Sequence, residues 1–261
     1  MRRITATYIS IVLLCMCANV CAQEARNRPY IDDKIFHFGF QLGVNFSSFG
    51  ITDSQKPVVM RGEEDILHAR VSGMTPGFHV AFVTDLRLNK YFSLRFCPGL
   101  QFSSRSISYT AESGRDVFSI AIDIDGKPIY GSTMDVLYMP IYLPLYLKFS
   151  AMREGNYRPY VLAGGGASFN VSRDRNKPVL LNVPDYFCEF GFGVDLYFRW
   201  FKWCPEITYR LGFANQLCPA KDHPLLAEDD PLAFYTNAIA TDKSMMQGLI
   251  NHCICLTFNF E

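Results

Sequence analysis

Seven ionisable side chains lie at polar positions of otherwise apolar alternating stretches: Arg95, Arg158, Glu189, Asp195, Arg199, Glu206 and Arg210. Both signs occur, and charges withdrawn from water persist chiefly when they are paired. The chemistry predicted for them is mutual neutralisation in a structural network filling a narrow lumen, with a proton or ion path as the functional alternative. A second set has thiolate and imidazole donors of the kind that hold zinc: Cys253 and Cys255 on one strand face, Cys204 on the strand before it, and His37 on the first strand. A Cys-x-Cys on one strand face is a weak metal signal, and packing of small apolar side chains is the preferred reading. The histidines His68, His79, His223 and His252 show no spacing that sets them beside a serine and a carboxylate, so nucleophilic catalysis is unsupported. No enzyme activity, cofactor, metal or small-molecule substrate is expected.

The elements that must carry these residues are strands. From Phe36 to Phe46 the even positions are Phe36, Phe38, Phe40, Leu42, Val44 and Phe46, while the odd ones are His37, Gly39, Gln41, Gly43 and Asn45. Alternation sustained over about ten residues is the length and pattern of a strand tilted across a bilayer. Eight segments follow the rule, at about 35–46, 74–88, 91–102, 136–149, 157–171, 186–200, 203–213 and 249–260. Their connections alternate between long, at 47–73, 103–134, 172–185 and 214–248, and short, at Asn89-Lys90, 151–156 and Phe201-Lys202. Tyr91, Phe92, Tyr157, Trp200, Phe201 and Trp203 flank the short turns, where an interfacial aromatic girdle belongs.

The predicted fold is therefore all-β: an eight-stranded antiparallel transmembrane up-and-down β-barrel with four long extracellular loops and short periplasmic turns. A soluble ligand-binding barrel also alternates, but its polar face would carry many lysines and glutamates. Here that face is mostly Gly, Ser, Asn, Gln, Thr and Tyr. Pro98, Pro140, Pro144, Pro159 and Pro205 oppose the reading, since each removes a ladder hydrogen bond; bulges, strand ends or local water are expected there. A further hairpin is expected within 107–124, where Phe118, Ile120, Ile122 and Ile124 alternate.

Arg2 and Arg3, the apolar run from Ile9 to Val20 and the small residues near Cys21-Ala22 predict a signal peptide at 1–22. A periplasmic leader at 23–34 and the barrel domain at 35–261 follow. The chain has 25 basic and 25 acidic side chains, and with two arginines in the signal the remainder is slightly acidic, which excludes a nucleic-acid footprint. Six cysteines lie beyond the signal, scattered along strands rather than in the loop knots of a disulfide scaffold.

His37-Phe38-Gly39-Phe40, Leu42-Gly43 and Asn45, preceded by Arg28-Pro29-Tyr30, resembles the opening of the PorT (SprT) family of Bacteroidetes outer-membrane proteins. The stretches Tyr142 to Phe149 and Arg158 to Gly165 resemble a hairpin of the wider Bacteroidetes small-barrel superfamily. The resemblance implies an accessory component of type IX protein secretion, associated in some bacteria with gliding, that works through protein contacts and brings no catalytic residues. Outer-membrane lipid and other secretion subunits are the implied partners, met through extracellular loops or periplasmic turns. The apolar and acidic stretch 224–235 is a candidate docking loop, or a lid over its own mouth. A generic OmpX-like anchoring or adhesion barrel, and a lipid-A-modifying barrel enzyme, are the rival classes. Glu261 after Phe260 departs from the usual terminal aromatic of such barrels.

Overall fold

Period-two alternation with β-branched and aromatic residues on one face sets long strands. The computed structural model describes residues 26–53, 57–60, 63–71, 73–113, 121–122, 128–129, 133–172, 181–217 and 246–261. The strands are β1 (Phe36–Asp53), β2 (Pro57–Met60), β3 (Glu63–Val71), β4 (Thr75–Arg87), β5 (Phe92–Phe96), β6 (Gly99–Ala111) and β7 (Ala121–Ile122). They continue with β8 (Pro128–Ile129), β9 (Thr133–Tyr138), β10 (Pro140–Ser150), β11 (Tyr157–Asn170), β12 (Pro184–Tyr197), β13 (Lys202–Gly212) and β14 (Met246–Phe260). A 3-10 turn at Ile31–Asp33 precedes them.

The expectation of an eight-stranded up-and-down barrel is corrected. The described residues form a 12-stranded sheet in the order β1-β14-β13-β12-β11-β10-β5-β4-β6-β3-β2, with β9 on β6 and with added pairings β1–β4 and β10–β6. β7 and β8 form a separate pair. Three causes change the count. Pro98 lacks an N–H, so the segment expected at 91–102 divides into β5 and β6. The segment expected at 136–149 divides at Met139 into β9 and β10, with Pro140 opening the second. The first two stretches expected as long loops themselves pair: β1 runs on to Asp53, β2 pairs with β3, and β3 and β9 both pair with the outward half of β6. The arrangement thus carries a branch beyond any plain ring of eight.

β1 is paired on both edges, with β14 from Phe40 to Asp53 and with β4 from Phe36 to Ser47. Bilayer hydrocarbon offers no water to unpaired backbone groups, so pairing on both edges is what a strand there requires. Of the bulges, strand ends or local water expected at the prolines, strand ends occur at Pro98, between β5 and β6, and at Pro140, which opens β10, while Pro144, Pro159 and Pro205 lie in continuous registers. One register serves β10 on both sides of the β5/β6 break, which leaves Pro144 beside Cys97-Pro98 and gathers the missing donors at one interruption. Across it, Cys97 N–H donates to the Pro144 carbonyl at 3.4 Å and Phe82 N–H to the Pro98 carbonyl at 3.0 Å.

The burial is inverted relative to a water-soluble protein. Phe38, Phe40, Phe82, Phe96, Leu145, Phe190 and Phe192 are exposed on the outer face, while Gln41, Asn45, Gln101, Arg95, Lys148 and Glu189 are buried inside. Such an apolar exterior is stable only against an apolar solvent. The short turns crowd one end. There Asn89 Oδ1 accepts from the Tyr91 and Phe92 N–H groups at 2.8 Å each, and Gly155 takes a φ of 59°. Trp200, Phe201, Tyr91 and Tyr157 are exposed at that end.

Candidate functional site: the charged interior

Inward parity places charges at three levels. Nearest the short turns, Arg95 on β5 donates to Asp85 Oδ2 on β4 at 3.1 Å, to Glu206 Oε2 on β13 at 3.3 Å and to Glu261 Oε1 at 2.8 Å. Lys202 pairs with the same Glu261 carboxylate. Beside them Lys148 Nζ lies 2.8 and 3.0 Å from the two Asp195 oxygens and 3.8 Å from the Tyr160 ring centre. The Tyr160 hydroxyl donates to Glu206 at 2.9 Å.

At mid-height Arg210 Nε donates to Glu189 Oε2 at 2.7 Å, and its Nη1 to Gln101 Oε1 at 2.9 Å. Tyr146 and Thr208 hydroxyls donate to the Glu189 oxygens at 2.9 and 2.5 Å. Farther from the turns, the Arg105 guanidinium lies 4.2 Å from the ring centres of both Phe49 and Tyr138. Its Nη2 donates to Asn251 Oδ1 at 2.8 Å, and Asn251 Nδ2 reaches Asp185 Oδ2 at 3.4 Å. Arg95 and Arg210 have carboxylates to replace water, and Arg105 has two π faces, its Nε and Nη1 being buried without a hydrogen-bond partner among the described residues.

Of the seven charges singled out from the sequence, Arg95, Glu189, Asp195, Glu206 and Arg210 come together in this interior. Arg158 stands at the short-turn rim, where Nε donates to the Ala151 carbonyl at 2.8 Å. Arg199 stands outside, exposed, 5.7 Å from the Trp200 ring centre. Sequence reasoning left six charged partners out of the set. Asp85 and Lys148 share the polar parity of their strands and were available to it; Lys202 read as a turn residue and Glu261 as an end effect. Arg105 and Asp185 fell in stretches expected as loop.

The thiol and imidazole set is not assembled. Cys253 and Cys255 approach at 3.4 Å between sulfurs. Cys204, however, pairs opposite Asn259, four residues along β14 from Cys255 and so about 13 Å away. His37 stands opposite Asp85, past the end of the β1–β14 ladder. Among the described residues no group of three or more His, Cys, Asp or Glu side chains could hold a metal. His79 Nε2 is 3.2 Å from Thr257 Oγ1, His252 Nδ1 is 2.8 Å from the Tyr209 hydroxyl, and His68 lies on β3 opposite Thr110. His223, Cys218, Phe118, Ile120, Ile124, the signal segment and the stretch 224–235 lie outside the described residues.

The motif His37 to Asn45 forms the first half of β1. Its Gly43 admits the His79 ring: a Cβ there would come 2.5 Å from His79 Nε2 and 2.7 Å from the Leu256 carbonyl oxygen.

The family model described as "Outer membrane protein beta-barrel domain" matches residues 21–217. Among solved structures, the chain is similar to one titled "Solid-state NMR structure of outer membrane protein AlkL in DMPC lipid bilayers". The identity is 12%, with 93% of this chain and 96% of that chain covered and a TM-score of 0.35. No curated protein matches the chain.

Proposed function

This chain belongs to the outer membrane protein β-barrel domain family and resides in the outer membrane, and on that premise we propose that it is a non-catalytic accessory subunit of type IX protein secretion. One observation carries the mode of action. The interior is occupied by Arg95, Lys148, Arg210, Arg105 and the acids and aromatics that contact them, so passage of a polypeptide through it is sterically excluded. What is left to do work is the outside: the lipid-facing wall, the loops and the turns. The secretion pathway itself is supported by the resemblance of the His37 to Asn45 motif.

Deletion of the gene, with complementation, tests the reading through three measurements on the same strains. Loss of extracellular type IX cargo supports it. Intact export with altered adhesion or envelope integrity assigns the protein to the anchoring class instead, and a shift in lipid A mass assigns it to the lipid-modifying class. The partner is then identified by mass spectrometry of the complex that co-purifies from outer membranes.

A further inference from the structure

Residues 26–34 do not trail away from the sheet; they fold back under its short-turn end. The Arg153 guanidinium spends all its nitrogens on this contact and on its own turn. Nε donates to the Gly155 carbonyl at 3.0 Å, Nη1 to the Arg28 carbonyl at 3.4 Å and Asp32 Oδ2 at 3.3 Å, and Nη2 to the Asn27 carbonyl and to Asn156 Oδ1. Its flat face lies 3.6 Å from the Tyr197 ring centre. The Tyr197 hydroxyl donates to Asp32 Oδ1 at 2.7 Å, and Arg158 Nη1 stands 3.7 Å from the same oxygen. Asn27 N–H donates to Asn156 Oδ1 at 2.8 Å.

Two features make this a recognition site rather than a fixed part of the fold. First, what is read is transferable: two successive main-chain carbonyls, one buried apolar side chain, Ile31, and the carboxylate that follows it. The Tyr30 side chain between them is 78% exposed, while its carbonyl accepts from the Asp33 N–H at 3.2 Å and closes the turn. Second, the segment is held by side-chain contacts and not by a strand ladder. Asp32 keeps 24% exposure, which makes its ion pairs individually weak. Leaving would strip Arg153 and Arg158 of their carboxylate beside an open cleft lined by Arg87, Lys148 and Lys202 and by the acids Asp85 and Asp195.

We propose that the short-turn mouth, formed by Arg153, Asn156, Arg158 and Tyr197, is a binding site for a short peptide that presents an apolar residue followed by an acid in a 3-10 turn, and that residues 26–34 occupy it in cis. The partner is then an acidic segment of another envelope protein that exchanges with the strap. The inference rests on the proposed function only in assigning this mouth to the periplasmic side, and peptide binding is read independently of cargo export.

The test uses the full chain in detergent micelles and a fluorescent peptide of residues 26–34. In the unaltered protein the tethered strap competes at high effective concentration. The full-chain Asp32→Asn variant is expected to bind the peptide at least tenfold more tightly than the unaltered protein. A peptide with Asn at position 32 is expected to bind that variant at least tenfold more weakly, and adding Arg153→Ala to abolish binding. In parallel, trypsin cleavage after Lys34 should quicken at least tenfold in Asp32→Asn, with heat-modifiable electrophoretic mobility reporting an intact fold. Equal affinity for the two peptides, or no binding by the folded Asp32→Asn protein, would overturn the proposal.

Discussion

Lys148 Nζ lies 2.8 Å from Asp195 Oδ1, and each side chain is only 2% exposed. The two come from β10 and β12, which are not adjacent; the pair spans the interior across β11. Removing one partner strands a charge, at a typical cost of about 3–5 kcal/mol, whereas replacing both by apolar groups is often close to neutral. Lys148→Met and Asp195→Asn are each expected to lower unfolding stability in urea by that amount. The double change to Met and Leu is expected to recover most of it.

Glu261 follows the last strand yet turns inward, sharing its carboxylate between Arg95 and Lys202. Arg95 keeps Asp85 and Glu206 if it is lost; Lys202 has no other ion pair as short among the described residues. Glu261→Ala should therefore cost at least about 1–3 kcal/mol through an unsatisfied buried donor. Urea titration followed by heat-modifiable mobility measures the loss.

Gly164 on β11 allows β10 to approach closely. A Cβ there would strike the Leu145 carbonyl oxygen and come within 2.7 Å of Tyr146 Cα. Both obstacles are backbone and cannot swing aside, so Gly164→Val is expected to abolish the compact, heat-modifiable form. Gly248→Ala is the control, because its nearest neighbour would be Asn215 at 3.8 Å and folding should be retained.

Leu145 and Phe36 both face outward, 48% and 54% exposed, but at different heights. Leu145 lies mid-strand, and Phe36 begins β1 beside the short turns. An outward arginine costs about 2–4 kcal/mol at the bilayer midplane and about 0–1 near an interface. Leu145→Arg should lower stability in lipid vesicles by the larger figure and Phe36→Arg by the smaller; equal losses would mean that the outer face does not meet hydrocarbon.

Local pattern carried much of this protein. Which residues of a strand share a face depends only on a repeat of two, so Phe38 against Gln41, and Phe192 against Asp195, were separable by counting along the chain. The short turns were legible for the same reason, in Asn89-Lys90 and its flanking aromatics. The number of strands was not. Whether Pro98 ends a strand, or whether residues expected as loop pair with β6, depends on what lies alongside.

Partnership was legible least of all. Arg95 meets Glu206 across 111 positions, and Arg153 meets Asp32 across 121, because curvature and register of the whole sheet bring their strands and turns together. Arg199, two residues past the end of β12, lost its inward direction once the strand ended at Tyr197. Lys202 and Glu261 gained theirs because the backbone of each bonds to the other, Lys202 N–H to the Glu261 carbonyl at 2.8 Å and the reverse at 2.9 Å. Within each strand, alternation in the sequence thus determined which side chains face outward and which face inward, since that is a property of the strand alone. Only tertiary structure decided how the inward charges neutralise one another and where the strap docks, because those contacts exist between strands and turns that are distant in the chain.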